Sequence, residues 1–181
     1  MKNSLNSLLL SLIVLLANSA LASTNTQISK QQIEKNNEDS LRIIELDALW
    51  AELSRTVKEG DFEGYKVNYH DDAVVIFTSG KNKSSMPISK ALAGWEKGFM
   101  DTKSGKTNDN VEFRFSQRIG DATTAHETGI FIYTSTDSMG EVLGTYIVHF
   151  EALLVKRNGD WQVTMEYQKS NGSQEDWDAL K

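Results

Sequence analysis

The run EGDFEGYKVNYHDDAVVIF, Glu59 to Phe77, constrains the fold more than any other part of the chain. It reads as a helix end, a short second helix and the entry into a strand. Gly60 suits the left-handed residue that closes the first helix. Asp61 follows at the N-cap position, where its carboxylate can accept free amides of the next turn. Phe62, Tyr65 and Tyr69 recur at helical spacing, so the second helix is expected to run to His70-Asp71-Asp72 with one aromatic stripe facing inward. Ala73 to Phe77 is a short apolar run, typical of a buried strand.

The first 22 residues have the form of a secretory signal peptide. Lys2 supplies a basic start, Leu8 to Leu16 an apolar centre, and Ala20-Leu21-Ala22 a small-x-small cleavage site before Ser23. No cysteine follows that site, which excludes a lipid-anchored lipoprotein. The mature chain is therefore expected to be periplasmic or secreted, with no membrane attachment after cleavage. Losing Lys2 makes the formal net charge one unit more negative than -6. Charges are interspersed and no long basic run exists, so nucleic acid is not an expected partner. The chain has no cysteine. Disulfides and thiolate metal sites are thus impossible, and stability must come from packing.

Residues 23–38 read as a polar leader, with Ile28 and Ile33 as its apolar residues. A helix is expected from about Asp39 to Glu59, with Leu41, Ile44, Leu46, Leu49, Trp50, Leu53 and Val57 as its apolar residues. Thr78 to Met86 reads as a loop. Pro87 suits the first turn of a third helix over Ile88 to Met100, with Leu92, Trp95 and Phe99 on one face. Asp101 to Asn110 reads as a second loop. Strands are expected at about 111–119, 122–134, 141–156 and 161–169, with hairpin signals at Gly120-Asp121 and Asn158-Gly159. Helices followed by an antiparallel meander define an α+β fold. Residues 172–181 are left as a C-terminal tail carrying Trp177.

Two motifs give the chain a family resemblance. Asp61 to Ala73 follows the pattern Asp-hydrophobic-x-x-hydrophobic, then aromatic-x-Asp-Asp-Ala. Asn158-Gly159-Asp160-Trp161 is followed by Glu166, five places after the tryptophan, and by Ser170-Asn171. With His126-Glu127-Thr128-Gly129 between them, these segments resemble the nuclear transport factor 2-like superfamily, and within it the SnoaL-like proteins of unknown function. The resemblance spans residues 39–171. It implies three N-terminal helices packed on a curved antiparallel sheet that forms a conical pocket, with homodimers made through the sheet. Members include isomerases, polyketide cyclases, dehydratases and non-catalytic association or ligand-binding domains, so the fold does not choose a function. The ketosteroid isomerases of this group carry a carboxylate base and a tyrosine oxyanion donor. Phe77 and Leu53 occupy those ungapped positions here, and neither side chain can do that chemistry.

Hairpin register suggests where other groups project. A two-residue turn at Asn158-Gly159 would set Glu151 opposite Glu166 and Phe150 opposite Tyr167. A loop at 135–140 would set His126 opposite His149. His126, His149, Glu151 and Glu166 would then share one face, a candidate divalent-metal or acid/base cluster set against a plain polar outer face. A bulge would flip that assignment. Glu127 would sit on the apolar face, opposite Arg114 or Phe113 according to the length of the preceding turn. It is the candidate catalytic or anchoring carboxylate, since a charge on an apolar face needs a partner. Tyr69, Trp95, Glu127, Tyr133, Tyr146 and Tyr167 are the candidate ligand-lining residues. No cofactor is implied. The expected function is binding of a small, partly apolar molecule. The alternatives are a cofactor-free isomerase, lyase or cyclase acting on a hydrophobic carbonyl compound, and a homodimeric association domain.

Overall fold

A computed structural model describes residues 4–180, with side chains described at 27, 30 and 32–180. The signal-peptide expectation therefore rests on side chains outside the described residues. The chain divides into units 1–40 and 41–181. Helix α1 spans Ser4–Glu59, so the segment expected to be a polar leader is helical. Neither proline nor glycine occurs before Gly60, and nothing else in the leader interrupts an intrahelical ladder. No described helix is long and apolar enough to cross a membrane.

Gly60 ends α1 with φ +65°, and a Cβ there would lie 2.4 Å from the Lys103 amide nitrogen. Glycine thus supplies both the left-handed turn and room for the end of α3. Asp61 caps helix α2 (Phe62–Lys66) by accepting the Gly64 amide, and Arg55 pairs with the same carboxylate. This helix is shorter than the aromatic spacing suggests. Tyr69 already opens strand β1 (Tyr69–Phe77), with His70-Asp71-Asp72 looped out of its ladder between two paired stretches.

The end of the expected loop, together with Pro87, forms strand β2 (Ser84–Pro87), and Pro87 is the N-cap of α3 (Ile88–Lys103) instead of a residue of its first turn. The meander follows as β3 (Thr107–Gly120), β4 (Thr124–Asp137), β5 (Val142–Arg157) and β6 (Asp160–Asn171). The six strands form one curved, unclosed sheet in the order β2-β1-β6-β5-β4-β3. The α+β class holds, but the sheet is mixed, because β1 runs parallel to β6. The intervening α3 and β3–β5 give the long connection that a parallel pair needs.

One side of α1 packs on the sheet: Leu46, Leu49, Trp50 and Leu53 are buried with Val75, Phe150, Leu154 and Val163. Leu41 and Ile44, expected on that face, are exposed instead. The C-terminal tail carries helix α4 (Gln174–Ala179), opened by a Ser173–Asp176 capping box. Its Trp177 is buried, with the Arg114 guanidinium 4.1 Å above the ring.

Candidate functional site

The inward faces of β1, β3, β4, β5 and β6, with α1, α2 and α3, enclose a cavity of about 470 Å³. That volume suits a one- or two-ring molecule. Its walls are mainly aromatic. Trp50 packs on Phe113 and Phe150 at 4.7 and 5.6 Å between ring centroids. Across the cavity Trp95 meets Tyr65 and Phe77 edge-on. Tyr146 stacks near Tyr133 at 6.3 Å and, being 61% exposed, stands at the rim. Gly94 and Gly98 also line the space from α3, and a Cβ at either would meet nothing within 4 Å.

The main polar group is Glu166. The Asn158-Gly159 turn has φ +55° and +97°, and pairing runs in the expected register from Arg157↔Asp160 to Leu154↔Val163. Thr164 is then an extra residue, so Leu153 faces Met165 and Ala152 faces Glu166. A bulge of this kind reverses every later side chain. Glu166 and Gln168 therefore line the cavity. Glu151 lies opposite Tyr167, not Glu166, and Phe150 lies opposite Gln168, not Tyr167.

Glu166 accepts the Tyr69 hydroxyl at 2.6 Å and the Gln168 amide at 2.8 Å, one on each carboxylate oxygen. The Tyr65 hydroxyl lies 3.0 Å from that of Tyr69, which extends the chain toward α2. Burial raises the Glu166 pKa, and the two hydrogen bonds offset this only in part. Burial, and then the nearby Glu166 charge, push both tyrosines above their ordinary values. The arrangement is a hydrogen-bonded Tyr-Tyr-Glu-Gln relay in an apolar cone. It can donate or accept a proton without a metal.

A second carboxylate, Asp109, enters from the inward face of β3 and is 6% exposed. One oxygen accepts the Thr102 hydroxyl at 2.8 Å. Burial, and then a hydrogen-bonding contact with the Asp109 carboxylate and its charge, raise the pKa of the Tyr133 hydroxyl.

The sequence candidates separate into three places. Tyr69, Trp95, Tyr133 and Tyr146 line the cavity. Tyr167 does not; the Thr164 bulge turns it to the other face, where its hydroxyl lies 3.3 Å from the Thr78 hydroxyl. Glu127 is also outside the lining. It is 0% exposed and accepts Trp50 Nε1 and Arg118 Nε, each at 2.5 Å. Its partner across the strands is Arg118, neither Arg114 nor Phe113, because four residues, Asp121 to Thr124, separate the first facing pair Gly120↔Ala125. Glu127 is thus a buried tie between α1 and the sheet.

The outer cluster is dispersed. His126 faces Leu153, and His149 faces Ile130. His126 pairs with Glu151 at 3.3 Å, Lys169 holds the same carboxylate, and His149 pairs with Asp176 at 3.4 Å. Glu166 is on the opposite face. Among the described residues no three His, Asp or Glu side chains are grouped to hold a metal ion.

Sequence reasoning missed Glu166 as an interior group and missed Asp109 altogether. A signal for the first was present. Glu166 stands five places after the inward Trp161, an odd spacing that puts both inside only if the strand contains a bulge.

No family model matches the sequence, and no curated protein matches it. Solved structures do. A nuclear transport factor 2-like protein of unknown function from Shewanella oneidensis matches with a TM-score of 0.55 and 17% identity, over 71% of this chain and 99% of that one. A ketosteroid isomerase-like protein from Erwinia carotovora matches with a TM-score of 0.51 and 17% identity, over 72% and 95%. The beta subunit of the benzoate 1,2-dioxygenase from Burkholderia mallei matches with a TM-score of 0.55 and 14% identity, over 67% and 85%. The chain has the nuclear transport factor 2-like fold.

Proposed function

We propose that this chain binds a small, partly apolar molecule inside its cone. The observation that carries the reading is the aromatic cavity of about 470 Å³ with the Tyr69–Glu166 hydrogen bond inside it. Apolar walls with a few convergent polar groups are the usual makeup of a small-molecule site. The fold is shared with an isomerase-like protein and with a dioxygenase subunit, which is compatible with a ligand in the cone and selects no chemistry.

Trp50 and Trp95 provide the readout. Titration of the full chain with 1-naphthol should quench their fluorescence saturably, with a Kd between about 1 μM and 1 mM. Gly98→Phe fills the open space beside α3 without a backbone clash and should abolish that saturation while leaving the fold intact. Equal binding by the natural chain and by this variant would sink the reading.

A second reading is catalytic, and the raised pKa of Glu166 favours it. A carboxylate of higher basicity beside a tyrosine donor can take a proton from carbon next to a carbonyl and return it. In heavy water the methyl group of 2-acetylnaphthalene would then exchange its protons for deuterium. Exchange as fast with Glu166→Gln as with the natural chain would rule this role out.

A further inference from the structure

The Tyr65–Tyr69–Glu166–Gln168 cluster has few protons to donate. A phenol carries one and a primary amide two. Tyr69 donates its proton to Glu166 Oε2 at 2.6 Å. The Tyr65 hydroxyl, 3.0 Å from that of Tyr69, is then the donor in their contact. Both phenol protons therefore point toward Glu166. A carboxylate only accepts, so Gln168 turns its NH2 group toward Glu166, and one N–H is used there at 2.8 Å. The second Nε2–H meets no acceptor among the described residues, and the Gln168 side chain lines the cavity. Of the four groups, Gln168 is the one with a proton left for a ligand.

Neighbouring strands fix its position from both sides. Gln168 faces Phe77 on β1 and Phe150 on β5, and its backbone carbonyl accepts the Thr78 amide at 2.8 Å. Phe77 and Phe150 line the cavity beside the amide, and an apolar surround strengthens a hydrogen bond made there. Among the described residues no lysine, arginine or histidine lines the space, so an anionic oxygen would enter without a counter-charge. A neutral carbonyl oxygen meets no such penalty. Two acceptors on one planar NH2 group, each at about 2.9 Å and about 120° apart, lie about 5 Å from each other. The carbon next to a carbonyl is about 2.4 Å from the carbonyl oxygen, which allows it to stand about 3 Å from Glu166 Oε1. We infer that Gln168 is the carbonyl anchor of the cone, its second Nε2–H donated to the oxygen of an apolar ketone and the neighbouring CH group set against Glu166. This rests on the cavity-binding reading and adds the residue that selects the ligand's functional group. When Glu166 takes a proton from that carbon, the C–H pair becomes the C=C bond of an enolate and the carbonyl π pair moves to oxygen, where the Gln168 N–H meets the new charge. Return of the proton reverses each change.

Acetophenone and α-methylstyrene test the anchor, since they differ by C=O against C=CH2. Each is titrated into the full chain and followed by ligand-observed NMR and tryptophan fluorescence. The readout is the ratio of their affinities. Gln168→Met keeps the side-chain length without a donor, and should shift that ratio against the ketone by roughly threefold to tenfold. Tyr69→Phe removes the other donor to Glu166 and should leave the ratio within about twofold. An effect that ran through Glu166 alone would move the ratio in both variants, and that result overturns the inference. Binding of α-methylstyrene by Gln168→Met shows that its cavity is intact. If that variant does not fold, Gln168→Asn, whose amide is one methylene short, carries the same expectation. On the natural chain, isotope-edited infrared spectra should place the carbonyl stretch of bound acetophenone below its frequency in cyclohexane; coincidence of the two overturns the inference. An unchanged ratio in Gln168→Met, with both ligands bound, overturns it and leaves the cavity reading standing. No binding of either ligand at about 1 mM overturns both.

Discussion

Two glutamates in this chain have exchanged the roles their sequence positions suggest. Glu127 is wholly buried between Trp50 and Arg118, and Arg118 also reaches Asp47. Removing the Glu127 charge leaves the largely buried Arg118 with only the exposed Asp47 as its ion-pair partner, at a cost of up to about 3–5 kcal/mol. Glu127→Gln should therefore lower the urea unfolding midpoint strongly, and a midpoint within error of the natural chain would contradict this account of the residue. Glu166 makes a different prediction, in pH. Its ordinary pKa is 4.5 and its value in the folded chain is higher, chiefly through burial. Its protonated form therefore favours folding. That contribution is complete below the unfolded value and is lost as the pH rises through the folded value. Carboxylates held low act oppositely; the Thr123 and Thr124 amides pull Asp121 to about 2. The difference between Glu166→Gln and the natural chain isolates Glu166. Melting temperatures measured from about pH 4 to 8 should show the variant gaining relative to the natural chain as pH rises. A constant difference would refute this.

At the level of elements, Gly60 joins two helix ends. The Cβ of an alanine there would enter the backbone of Lys103, and the residue would keep a left-handed φ. Gly60→Ala should cost about 2 kcal/mol or more in a denaturant melt, and a neutral result would mean that α1 and α3 can part at that point without loss. What the sequence could and could not disclose divides along similar lines. Local chemistry located the helix end at Gly60, the Asp61 cap and the Asn158-Gly159 turn, since each depends on a few adjacent residues. The four long strands were legible for the same reason. The bulges at Ser116, Thr164 and Lys169 were not, because an extra residue is defined only against the partner strand. Each error of side-chain face in β6 follows from Thr164. Strand β2 was hidden because Ser84–Pro87 pairs only along one edge of β1. The length of α1 is masked by the polar composition of residues 23–38, although no helix breaker occurs there.

Across the whole molecule, the outer side of the sheet carries Leu153 and Ile119 exposed, with Val142 and Leu143 at the end of β5. Pairing of two copies through the sheet is our proposal for these residues, and native mass spectrometry at micromolar protein should record twice the chain mass. A single-chain mass across a dilution series would rule it out. The same spectrum would report a retained ligand, and the chain mass after expression from the full-length sequence would show whether residues 1–22 are removed. The extra residue at Thr164 has a consequence for descent as well as for architecture. Most changes to a binding cavity replace one wall residue at a time. Here the gain or loss of a single codon would turn the segment from Glu166 onward inside out, exchanging an acid and an amide for Met165 and Tyr167. Relatives could acquire opposite interiors in one mutational event while every amino acid in that segment stayed the same. An aligner that opens no gap at Thr164 would then compare the lining of one protein with the exterior of another.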